Sequence, residues 1–287
     1  NESIENAATM HYDRGRELSR NSDIQSNKDA AKAFKFASQY VTNYRDSKDR
    51  YEACKKLATT RLGLTSKIKE GLIPEASGVS SLVSSNILNA FQNTGDRYEF
   101  FQLLSRDELE VVMKEQKLSL SGLLDESTTK DLGGLSGVNA LLIVEVVGCN
   151  TDRQSLKPVT SEYTREVKLR DEEYTDDKGQ KKTRAVMGNV TCRATSYSKS
   201  ASGSVTISYK IVDVSNGAVI KSNIHSESAN WSHKWFKFES GDNRAMPAGS
   251  KEEVNYIANQ DLLNQAAGNV KNMIVAAVAD YAQKVSQ

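Results

Sequence analysis

Residues 105–124 read SRDELEVVMKEQKLSLSGLL, and the chain runs on as DESTTKDLGGLSGVNALLIVEVVG to Gly148. The tetrad Ser105-Arg106-Asp107-Glu108 has the form of a capping box. The serine hydroxyl accepts from the amide three residues on, and the glutamate reaches back to the serine amide. Leu109, Val112 and Met113 follow at helical spacing and give this helix an apolar face. A second short helix is expected from Asp125, a good N-cap, to the stop at Gly133-Gly134. Asn139–Gly148 is almost continuously apolar, as a strand covered on both faces must be. Glu145 interrupts it and is expected near the strand's end or beside a cation, because an unpaired buried carboxylate is costly. Upstream, Arg97–Leu104 carries Tyr98, Phe100 and Phe101 and reads as a strand. The block from Arg97 to Val147 is therefore β-α-α-β.

Working towards the N-terminus, Val79, Val83, Ile87, Ala90 and Phe91 mark a helix that ends at Asn93-Thr94-Gly95. A loop through Gly71, Pro74 and Gly78 precedes it. Arg61–Lys69 alternates apolar and polar residues, with Leu62, Leu64 and Ile68 on the apolar side, and reads as a strand. Ala30, Ala33, Phe34, Ala37 and Val41, then Tyr51, Cys54, Leu57 and Ala58, repeat at helical spacing on either side of Tyr44-Arg45-Asp46-Ser47. This helical hairpin resembles one tetratricopeptide unit. A single unit cannot bury its face alone, so it must pack on the rest of the chain or on a partner. Residues 1–26 are polar and read as a short helix or loose arm.

Beyond Gly148 the chemistry changes. Thr160–Met187 is dense in charge around Asp176-Asp177-Lys178-Gly179, a turn signal, and reads as an exposed β-hairpin. Thr191–Tyr197 and Ser204–Val214 read as further strands. Ser215-Asn216-Gly217 suits a type I′ turn into a return strand, Ala218–Glu227. Asn230–Glu239 holds both tryptophans, Asp242–Glu253 reads as loop, and the chain ends in a long helix with Leu262, Ala266, Val270, Met273, Ala277 and Tyr281 on one face.

The 287 residues are enough for one large or two smaller domains. The net charge of +1 gives no general attraction to nucleic acid, and no basic patch interleaved with aromatics is present, so no nucleic-acid partner is expected. No apolar run approaches the roughly 20 residues of a membrane helix. The sequence opens at Asn1 without methionine, which fits a removed signal peptide with a lipid-bearing cysteine just before it. The three cysteines form no disulfide framework. Cys54, Cys149 and Cys192 read as buried thiols, and Cys149 and Cys192 could pair only if their strands are neighbours.

Two separated blocks carry a family resemblance. The stretch from Ser105 to Gly148 resembles the central segment of the CsgG-like family, which includes the curli secretion channel and many bacterial envelope lipoproteins. Val205–Ile220, VTISYKIVDVSNGAVI, is similar to the family's strand, Asn/Thr-Gly turn and return strand. The resemblance covers roughly Arg61 to Val285. It implies a three-layer α/β fold, an anticodon-binding-domain-like sheet flanked by helices, here preceded by the helical hairpin. Residues 1–60 are then an N-terminal arm and hairpin, and 61–287 one domain with a charged β-hairpin insertion at about 155–188. The resemblance further implies a location on the periplasmic face of the outer membrane, protein partners, a homo-oligomeric ring, and no catalytic residue or cofactor.

Two hallmarks of the curli channel are absent from the sequence. The stretch equivalent to its constriction loop, Lys69–Gly78, has no aromatic or Asn residue. The two candidate membrane hairpins carry charge where lipid would lie. Arg165 and Asp171 share the apolar face of Thr160–Met187, and Lys221–Phe238 carries His225, Glu227, Lys234 and Lys237. Each such charge costs several kcal/mol near the bilayer midplane. Membrane contact is therefore expected through the lipid anchor.

His11, His225 and His233 are scattered, no set has zinc spacing, and the glycines at 133–137 are explained by a helix stop. Trp231, Trp235, Phe236 and Phe238 are the densest aromatic group and the candidate protein-binding residues if exposed, or an edge of the core if buried. With no catalytic constellation among the residues, the resemblance implies a non-enzymatic envelope protein acting as scaffold or accessory component. A curli-type secretion channel and a periplasmic activator of cell-wall synthesis stand as alternatives.

Overall fold

The computed structural model describes residues 2–92, 95–115 and 137–287. The helix expected at 125–133 and the glycine stop after it lie outside them. The chain divides into two compact units. The first takes 1–148, 206–227 and 267–287; the second takes 149–205 and 228–266.

In chain order the elements are α1 (Glu2–Leu18), α2 (Ile24–Tyr40), α3 (Ser47–Ala58), β1 (Thr60–Ile68), α4 (Ala76–Phe91), β2 (Phe101–Leu104), α5 (Arg106–Glu115), β3 (Ala140–Thr175), β4 (Lys181–Asp213), β5 (Val219–Gly241) and α6 (Asn259–Ser286). The sheet order is β2-β1-β3-β4-β5, with β1 parallel to both neighbours.

In the first unit the period-2 alternation of β1 sorts the helices onto two faces. Gly63 and its partner Leu141 face α5: a Cβ on Gly63 would lie 3.0 Å from Leu109. Leu62 and Leu64 point the other way, as does Phe101, which is in register with Thr60. The Phe101 ring meets Phe91 of α4 at 5.8 Å and Tyr281 of α6 at 6.2 Å. The sheet therefore has α5 on one side and α4 with α6 on the other, a three-layer α/β arrangement. The capping box forms as expected: Glu108 Oε2 accepts from the Ser105 amide at 2.7 Å, and Ser105 Oγ accepts from the Glu108 amide at 3.3 Å. Glu145 sits 3.3 Å from Lys67, the cation its strand neighbour supplies.

The N-terminal arm is a full helix, not a loose tail. Gly15 lets α1 close on α2, since a Cβ there would be 2.8 Å from the Phe34 ring. Tyr12, Phe34, Ala37, Cys54 and Ala58 form one apolar cluster, and Phe100 enters it from beyond α4. Glu99 ties the same surfaces together, accepting from Lys35 Nζ at 2.9 Å and from the Tyr51 hydroxyl at 2.7 Å. The hairpin thus docks on its own chain. This docking shortens the strand expected at 97–104. Residues 95–98 form a 3-10 turn, and only Phe101–Leu104 pairs.

The separate strands expected between 139 and 214 are two unbroken ones of 36 and 33 residues, whose middle parts, 149–175 and 181–205, belong to the second unit. They are joined by a tight turn in which the Gln180 carbonyl accepts from the Asp176 amide at 2.9 Å. Past Val146, β3 has no β1 partner, and Pro158 is tolerated there because an edge strand leaves every other amide unused by the ladder. From about 164 to 187 the ribbon is exposed on both faces apart from scattered half-buried positions. Among the described residues there is no disulfide, and Cys54, Cys149 and Cys192 are buried. No described helix is long and apolar enough to cross a membrane.

Candidate functional site

The segment WSHKW, residues 231–235, alternates along β5, so Trp231, His233 and Trp235 share one face while Ser232 and Lys234 face solvent on the other. The three rings stack in series, with centroids 6.3 Å and 5.5 Å apart and planes within 19°. Tyr197 of β4 extends the stack, 5.2 Å from Trp235 and tilted by 14°. Such offset stacking suits the quadrupoles of the rings.

A strap, residues 250–258, lies on this face. The Phe236 amide donates to the Ser250 carbonyl at 3.0 Å, and His233 Nε2 donates to the Glu252 carbonyl at 2.8 Å. Lys199, nearly buried, donates to Glu253 at 3.0 Å. Its ammonium sits 5.6 Å from the Trp235 ring and 4.7 Å from the Tyr256 ring, within cation–π range. Tyr256 reaches β3 through its hydroxyl, which donates to the Gln154 carbonyl at 3.1 Å, and Arg153 stacks on the same ring at 5.1 Å.

The four aromatics singled out in the sequence do not form one patch. Trp235 and Phe236 are neighbours in sequence, yet period 2 sends them to opposite faces. Phe236 packs with Cys192, Ala194, Ala245 and Met246, with Tyr163 at its edge. Trp235 and Phe236 are buried, Trp231 is half-buried and Phe238 is 43% exposed. For the buried pair the core-edge reading applies. Lys199, His233, Glu253 and Tyr256 were not among the sequence candidates; the alternation in WSHKW is the one local signal that reaches His233.

Beside Phe236 the chain turns at Gly241, whose φ of +97° and approach to the Thr191 carbonyl exclude a side chain. Arg244 then grips both oxygens of Asp242 at 2.6–3.1 Å and donates to the Lys168 carbonyl at 3.1 Å. These bonds hold the Asp242 carboxyl down at about 2. The remaining histidines are structural in setting: His11 stacks on Tyr40 and His225 on Tyr209. Among the described residues no group of three His, Cys, Asp or Glu could hold a metal ion.

A family model described as the curli production assembly/transport component CsgG matches residues 53–286. No curated protein matches. Among solved structures, lipoprotein GNA1162 from Neisseria meningitidis is 12% identical, with 78% of this chain and 96% of that one covered and a TM-score of 0.32. The CT253 protein of Chlamydia trachomatis is likewise 12% identical, with 78% and 98% covered and a TM-score of 0.33.

Proposed function

The chain belongs to the CsgG family, and on that premise we propose that it is a scaffold or accessory component of a secretion or assembly complex at the periplasmic face of the outer membrane. The family's role in assembly and transport supports an envelope-associated protein that works by contact rather than catalysis.

The observation that carries the finer reading is the ribbon of β3 and β4. An isolated two-stranded ribbon is marginal in water. Among the described residues no further strand pairs with the ribbon part of β3 on its outer side, at 164–175. Its charges, such as the Arg184–Glu172 pair at 2.7 Å, make lipid an unsuitable cover. A protein surface supplies strand pairing and charge partners together. Another copy qualifies: β3's outer edge in the ribbon and β5 are opposite margins of one sheet, and head-to-tail pairing of unlike margins closes into a ring or extends into a fibre.

Size-exclusion with light scattering on the full chain extracted from envelopes tests this. The expected result is a multiple of 31.6 kDa, or a stable complex with an envelope partner. Replacing 164–187 by a tight turn returns it to monomer. A monomer with no envelope partner sinks the reading. The second reading, a curli-type secretion channel, is favoured by the family's transport role. It requires stable liposome insertion with conductance, and the charged ribbon predicts neither.

A further inference from the structure

Helices α2 and α3 both belong to the first unit, and a cavity of about 170 Å³ opens between them. Lys35 and Tyr51 face each other across this groove, because both donate to one oxygen, Glu99 Oε1, at 2.9 Å and 2.7 Å. Ser38 lies three residues beyond Lys35 on α2, and Lys48 three residues before Tyr51 on α3. Helical spacing therefore puts Ser38 and Lys48 on the same two facing sides. Thr42 and Asn43 line the far end, where Asn43, with φ of +57°, turns the chain towards α3. The Glu99 bonds close the near end.

The lining chemistry selects a class of ligand. It includes two ammonium groups and no carboxylate. Glu99 offsets the charge of Lys35, 2.9 Å away. Lys48 is exposed and has no ion pair among the described residues. The C-terminus of α2 and the N-terminus of α3 meet here, so their opposed partial charges offset and Lys48 sets the sign of the site. A cation is repelled and an anion attracted. Ser38 lines the cavity, and its hydroxyl is buried with no hydrogen-bond partner. Leaving such a group unpaired is costly, and rotation about χ1 offers it to an acceptor in the groove. Donors thus approach from three sides: Lys48 from α3, Ser38 from α2, and Thr42 with Asn43 from the turn. The two oxygens of a carboxylate lie in one plane and cannot serve all three sides. Four tetrahedral oxygens can. The volume equals about six bulk waters, which admits one such group with a short substituent and not a long chain.

We infer that the groove between α2 and α3 binds a phosphate group, as the free ion or a small monoester, on Lys48, Ser38 and the Thr42-Asn43 turn. The assignment is independent of the assembly reading and survives its failure.

The test is calorimetric titration of the full chain, at about 0.15 M sodium chloride to screen general charge, with inorganic phosphate, glycerol 3-phosphate and acetate in turn. At least one phosphate binds saturably with a Kd of about 1 mM or tighter, and acetate binds about tenfold more weakly or not at all. The tighter of the two phosphates tells the free ion from the ester. Lys48→Gln weakens binding about tenfold or more, and Ser38→Ala about threefold or more. Lys56→Gln, which removes the same charge from α3 outside the cavity, leaves it unchanged. Circular dichroism establishes that each variant is folded; if Lys48→Gln is not, Ser38→Ala decides. Absence of binding by both phosphates, acetate binding equally well, or Lys48→Gln acting no more strongly than Lys56→Gln overturns the assignment.

Discussion

Lys199 Nζ donates to Glu253 Oε1 at 3.0 Å, yet the lysine side chain is 6% exposed and the glutamate's 62%. The strap therefore presents its carboxylate to a cation that has already left water. Breaking a buried pair by removing one member costs several kcal/mol, and exposure of the other member reduces this. Glu253→Ala is expected to cost about 1–2 kcal/mol in urea unfolding and to open 250–258 to protease. Lys199→Met keeps the stem between the rings, removes the desolvated charge, and is expected to change stability by less than about 1 kcal/mol.

Two glycines of similar sequence character should respond oppositely to alanine. At Gly15 the added methyl would lie 2.8 Å from the Phe34 ring, and Phe34 is fully buried. Gly15→Ala is expected to destabilise by about 1–3 kcal/mol, since an overpacked contact must push the helices apart. Gly268 lies inside α6 with nothing within 4 Å of its Cβ position. Gly268→Ala is expected to stabilise by about 0.5–1 kcal/mol through helix propensity. Thermal unfolding of the two variants side by side checks both.

Glu99 joins the N-terminal helices to the strand that follows α4. Tyr51→Phe removes one neutral-to-charged bond and is expected to cost about 1.5–3 kcal/mol. Glu99→Ala also leaves Lys35 without this carboxylate and is expected to cost more. Hydrogen exchange in α1–α3 reads the result. Faster exchange there with β1 unchanged locates the effect at the docking surface.

These contacts show what a sequence reveals and what it hides. The capping box was legible because its partner atoms lie within a few residues. The turn at Ser215–Gly217 was legible in place but not in type: only Gly217 has positive φ, +71°, and its amide donates to the Asp213 carbonyl, so the loop is longer than the type I′ turn that Asn-Gly suggested. The Lys67–Glu145 pair followed from the cost of a lone carboxylate. The continuity of β3 was hidden because Gly148, Pro158 and a run of charge each signal a break locally. What keeps the strand going is β4, and that pairing is set by a turn many residues away. The aromatic site failed in the same way. Trp235 and Phe236 were grouped by adjacency, whereas Trp235's partners are Tyr197, Lys199 and the strap.

Acidification should weaken the Gly241–Arg244 corner. The Asp242 carboxyl is depressed from 3.8 to about 2 by the Arg244 guanidinium. A depressed carboxyl contributes stability that is complete above its unfolded-state value and fades as pH falls through the folded one. Wild type should therefore exceed Asp242→Asn by a constant margin at neutral pH. That margin should shrink from near pH 3.8 and vanish below about 2. Urea midpoints across this range measure it; a margin independent of pH would show that the carboxyl's charge is not what holds the corner.

Ala267, Val270, Ile274, Val278 and Ala282 of α6 are fully buried, and Tyr281 of the same helix closes on Phe101. Ribosomes deliver these residues after every strand of the sheet. Until they arrive, the face carrying Leu62 and Leu64 has no complete cover, so a chain still being made or threaded cannot finish its core. Completion of that core therefore waits on α6, the last of its elements in chain order.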